Sequence, residues 1–77
     1  MEIKFNNLKD LLTFNIKYYR YVNNYSQEKL AELCNVSRSL IANIESVKVK
    51  QTFSISVIAS ISKVLNVPFE NFFKENK

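Results

Sequence analysis

A chain of 77 residues, 47% hydrophobic and 23% charged, holds one small domain, and no apolar run approaches the ~20 residues that cross a bilayer. Residues 1–14 mix Lys4, Asn6, Asn7, Lys9 and Asp10 among their apolar neighbours, unlike a secretory signal, so a cytosolic protein without a membrane partner is expected. With no His, no Gly and one Cys, the chain lacks a His-based triad, a glycine-rich phosphate loop and a Cys/His metal cluster; no enzyme, metal or cofactor is expected, and the net charge of +4 favours an anionic partner.

Apolar residues recur at three- and four-residue spacings and Pro68 is the sole proline, which predicts an all-α bundle of about five short helices. The first spans about 8–23, capped by Asn7, with Leu8, Leu12, Ile16 and Tyr19 as its inward stripe. Ser26 caps a second over 27–34, where Leu30, Leu33 and Cys34 face inward and Glu28 sits against the positive helix end. After a tight corner at Asn35 and Val36, Ser37 caps a third helix over about 38–46. Its Ile41 and Ile44 point inward, leaving Arg38, Ser39, Ala42 and Asn43 outside.

Residues 46–53 alternate Val47 and Val49 with Lys48 and Lys50; a single strand would have nothing to pair with, so this stretch reads as loop. Ser54 caps a fourth helix carrying Ile55, Ile58, Ile61 and Leu65, ended by Asn66. Pro68 then opens a short last helix with Phe69, Phe72 and Phe73. A chain without glycine still needs residues at φ > 0 where helices end, and Asn24, Asn35 and Asn66 stand at those corners, Asn being the side chain best suited after glycine. Cys34, in an apolar stretch, reads as a buried and unreactive thiol.

Two short helices joined by a tight corner, the second with a polar outer face, form the pattern of a helix-turn-helix. The run from Ser26 to Glu45 resembles the Cro and C1 repressor type of helix-turn-helix: Ser26-Gln27-Glu28 with Leu30-Ala31, then Val36-Ser37-Arg38-Ser39, then Ile44-Glu45. Ile16 and Arg20 before it, and Ile58, Ile61, Leu65 and Val67 after it, extend the resemblance over about 16–73. Asn35 replaces the usual turn glycine, and the loop after Glu45 is longer than the family's usual connection. Ala31 is small where the two helices cross closely, and Ile41 anchors the outer helix to the core.

The resemblance implies a lambda-repressor-like DNA-binding domain and a transcriptional regulator of double-stranded DNA, with the outer helix in the major groove. Arg38, Ser39, Ala42 and Asn43 would face base edges, Arg38 suited to guanine O6 and N7 and Asn43 to adenine N6 and N7. Gln27 matches the family's phosphate-holding glutamine; Ser37, Lys48 and Lys50 are further expected phosphate contacts. Arg20 and Glu45 match an ion pair joining the first and third helices.

A core this small, without disulfide or metal, gains from association, and the family usually binds two half-sites about 34 Å apart as a two-fold dimer. Val67, Phe69, Phe72 and Phe73 form the expected homodimer surface, with residues 3–12 as the second choice. The ending from Val67 to Phe73 is similar to that of the controller proteins of restriction-modification systems; small phage repressors are the other compact members. A rival reading makes the chain a protein-interaction module, antitoxin-like or an anti-repressor partner, that uses the same terminal aromatics.

Overall fold

The computed structural model of the chain describes residues 8–46, 48 and 54–75. Four α-helices and a closing 3₁₀ helix follow one another there: α1 (Leu8–Val22), α2 (Gln27–Cys34), α3 (Arg38–Ile44), α4 (Ile55–Leu65) and the 3₁₀ helix Phe69–Phe73. The domain is all-α, with no strand among the described residues. Asn7 lies outside them, as do residues 3–6, 47 and 49–53, and with them most of the loop after Ser46.

Local chemistry explains the boundaries. Ser26, Ser37 and Ser54 each sit in extended backbone and accept a hydrogen bond from the amide three residues on, at Lys29, Leu40 and Val57. Asn24, Asn35 and Asn66 have φ of 59°, 58° and 57° and are the described residues with positive φ. After each, the next amide reaches back five residues: Tyr25 to the Arg20 carbonyl, Val36 to Ala31 and Val67 to Ser62, at 3.0–3.1 Å. This is one helix-ending motif used three times with Asn in the glycine position. α3 stops at Ile44, short of the expected Ser46, because Glu45 is its C-cap and turns its side chain towards α1.

The core gathers Leu12 and Ile16 of α1, Leu30 and Ala31 of α2, Ile41 and Ile44 of α3, Ile58, Ile61 and Leu65 of α4, and Phe72. Three expected core residues fall outside it. Leu8 is 65% exposed and Ile55 76% exposed, each the first residue of its helix; Leu11 is buried in place of Leu8. Leu33 is 43% exposed: the buried arc of α2 centres on Leu30, Ala31 and Cys34, and Leu33 lies about a third of a turn away from that centre. Tyr19 and Cys34 are half-buried against the core.

Phe72 is fully enclosed, its ring edge-on to Tyr19 at 5.9 Å, so it is a core residue and not part of an outer surface. Asn15 explains the choice. Its Nδ2 donates to the carbonyls of Phe72 and Lys74, both at 2.8 Å, fixing the 3₁₀ helix with Phe72 inward and Phe69 and Phe73 on its flanks.

Candidate nucleic-acid interface

α3 is anchored by Ile41 and Ile44, both with no exposed surface, while Arg38 and Ser39 in its first turn are exposed. Ala42 and Asn43 are half-buried on the same helix. A helix held by two branched apolar side chains, with its N-terminal residues free in solvent, is a rigid mount for a reading surface. Ser37 is exposed and its Oγ accepts the Leu40 amide at 3.0 Å; Lys48 is exposed just beyond α3. Lys50 lies outside the described residues.

Behind α3 lies a buried polar centre. Arg20 Nε is 2.6 Å from Glu45 Oε2 and Arg20 Nη2 is 2.9 Å from Oε1, a two-pronged pair with side chains 6% and 2% exposed. Arg20 Nη1 donates to the Tyr25 carbonyl at 2.7 Å, which ties the corner between α1 and α2 to the same charge. The hydrogen bond with Glu45 holds the Arg20 guanidinium above its ordinary pKa, against the opposing effect of burial. Gln27, first residue of α2, donates from Nε2 to Glu45 Oε1 at 3.2 Å. An amide carries two N–H donors, so this contact leaves a second for another acceptor. The pair therefore links α1, α2 and α3 at one carboxylate.

The far end of α3 is closed by side chains that reading the sequence did not single out. Thr13 Oγ1 donates to the Ile44 carbonyl at 2.8 Å. Lys9 Nζ lies 2.8 Å from Thr13 Oγ1, 3.1 Å from the Ser46 carbonyl and 3.4 Å from that of Ile44. Burial lowers the Lys9 pKa, with the negative charge of Asp10 acting the other way. One signal was present in the sequence: Thr13 and Asn15 interrupt a dense apolar run, and Asn15 stands three residues after Leu12, on the buried arc.

The helix-turn-helix family profile matches residues 16–72, from the second half of α1 through the 3₁₀ helix. The chain belongs to this family. It is 34% identical over 65 residues to the control protein C.SmaI of Serratia marcescens, across 84% of this chain and 75% of that protein. Its fold is similar to that in a crystal structure of the hypothetical transcription factor NHTF from Neisseria. The TM-score is 0.78 at 24% identity, covering 86% of this chain and 72% of the other. As a member of this helix-turn-helix family, the chain is a DNA-binding transcriptional regulator and its partner is double-stranded DNA.

The helix-turn-helix proper is α2, the Asn35 corner and α3. Ala31 is 3% exposed where α2 meets the core, and the corner is closed by the Val36 amide on its carbonyl. Of the residues read from the sequence, Arg38, Ser39, Ala42 and Asn43 share α3, Gln27 and Ser37 begin its two helices, and Arg20 and Glu45 meet beneath them. Val67, Phe69 and Phe73 form a separate half-buried group at the other end of the chain, the rings of Phe69 and Phe73 being 5.3 Å apart. No described helix is long and apolar enough to cross a membrane.

Proposed function

We propose that this chain binds a two-fold symmetric operator as a homodimer and regulates transcription there, each copy laying α3 in the major groove of one half-site. The observation that carries the reading is the mounting of α3: Ile41 and Ile44 are sealed in the core while Arg38 and Ser39 stand exposed at its start. Arg38 takes guanine O6 and N7 with its two-pronged guanidinium, and Asn43 and Ser39 address neighbouring base edges, with Ala42 against an apolar one such as the thymine methyl. Gln27, Ser37, Lys48 and Lys50 take phosphates; these contacts fix register and carry no base identity. Similarity to a control protein supports a controller of this kind.

The dimer surface of this proposal is smaller than the sequence suggested. Phe72 is excluded by its burial, leaving Val67, Phe69 and Phe73. The rival protein-interaction reading loses the same residue. Selection of bound fragments from a random DNA pool tests the proposal: a two-fold repeated motif is the expected result, and an unrepeated motif or no enrichment overturns the dimer or the operator respectively.

A further inference from the structure

α3 has seven residues, with Ile41 and Ile44 buried and Leu40 packed against the core, and on so short a helix each contact at its C-terminal end bears directly on its tilt. A helix of that length is about 10 Å long. A rotation of ~6° about its C-terminal end therefore moves its first residue by about 1 Å, twice the ~0.5 Å within which a binding constellation has to be held. The end that has to be pinned is the one far from the bases. There the last carbonyls of α3 carry the negative end of the helix dipole and need donors. Thr13 supplies a hydroxyl and Lys9 an ammonium group, together touching Ile44 and Ser46. Both belong to the first two turns of α1 and precede the residues that match the family profile.

We infer that Lys9 and Thr13 are positioning residues for DNA recognition, a clamp on the C-terminal end of α3 that sets the angle at which Arg38 and Asn43 meet the bases. The inference rests on the reading of α3 as the groove-binding helix. Thr13 is 3% exposed and packed between the helices, which leaves it no access to DNA. Lys9 uses its charge on backbone carbonyls of its own chain. Such a clamp acts on specific binding, where angle matters, and leaves non-specific phosphate attraction as it was.

The test compares Thr13→Val, Lys9→Met and Lys9→Arg with the parent chain on two duplexes, one selected from the random pool and one scrambled. Measurements are made over a salt series at a temperature where circular dichroism shows each variant folded. Thr13→Val and Lys9→Met are expected to lower the ratio of specific to non-specific affinity about tenfold with an unchanged salt slope, and Lys9→Arg to restore most of the ratio. A ratio unchanged in folded variants overturns the clamp. A salt slope reduced by ~0.9 in Lys9→Met makes Lys9 a phosphate contact and overturns its positioning role. Should Thr13→Val not fold, Lys9→Met decides alone, since the Lys9 side chain lies at the surface end of the network. Arg38→Ala is run in parallel. If it leaves base preference unchanged, the groove reading fails and the clamp with it; if it alters preference while the clamp variants do not, the clamp alone fails.

Discussion

The two ends of the bundle are fastened by different means. The helix-turn-helix end offers Leu30, Ala31, Ile41 and Ile44 to the core, with Cys34, Val36 and Leu40 packed against it, and adds polar contacts to α1 through Arg20, Thr13 and Lys9. The other end contributes Ile58, Ile61, Leu65 and Phe72, with Asn15 as its main polar tie. Apolar contact is not directional, so the orientation of a helix that presents a polar face is sharpened by hydrogen bonds and charge. α4 and the 3₁₀ helix present no reading surface and supply apolar bulk.

The sharpest way to break this comparison is at the apolar end. Phe72→Ala removes a fully enclosed ring and is expected to cost about 3–5 kcal/mol. That is a large part of the total for a small domain, and thermal melting should show a lost or greatly lowered transition. A normal melt with an altered sedimentation profile would instead return Phe72 to the surface. Next comes the polar end: Glu45→Ala leaves the Arg20 charge buried and is expected to cost about 3 kcal/mol. In a double-mutant cycle, Arg20→Ala with Glu45→Ala recovers part of this, though not all, because Arg20 also holds the Tyr25 carbonyl. Absence of coupling would mean that the two side chains do not meet in solution.

Smaller effects sharpen the picture. Asn15→Ala strips the donor from the buried Phe72 carbonyl and from that of Lys74 and should cost about 1–3 kcal/mol in urea denaturation. Asn35→Ala puts a Cβ without a helpful polar group at φ 58° and should cost about 1–2 kcal/mol, while Asn35→Gly stays near neutral. The smallest concerns Cys34, whose burial raises its thiol pKa above the usual value. The folded chain then keeps that proton to higher pH than the unfolded one, so stability falls slightly as pH rises past about 9. Alkylation at pH 8.5 should run more slowly in the native protein than in urea; equal rates would place the thiol in open solvent.

The sequence made the helix-turn-helix end readable because its signals are local. Ser26, Ser37 and Ser54 cap the next turn, and Asn24, Asn35 and Asn66 each adopt a left-handed backbone at the corners where they were expected. The tail was less readable. Phe69, Phe72 and Phe73 are equally apolar at adjacent angles on a helix, and what selects Phe72 is Asn15, 57 residues earlier. Leu8 and Ile55 have the right period, but each is the first residue of its helix and stays exposed, which periodicity does not report. The Lys9 and Thr13 contacts were illegible since a Lys and a Thr on a helix look like solvated surface until their partners 31 to 37 residues away are known.

α1 takes the C-terminal carbonyls of three other elements: Thr13 that of Ile44 on α3, Asn23, just past its end, that of Leu65 on α4, and Asn15 that of Phe72 on the 3₁₀ helix. These ties join residues 31, 42 and 57 positions apart. Without a docked α1 these three carbonyls lose their side-chain donors together. Partial structures are left frayed at three places at once, which favours an all-or-none transition in which the slowest-exchanging amides of all four helices share one opening free energy.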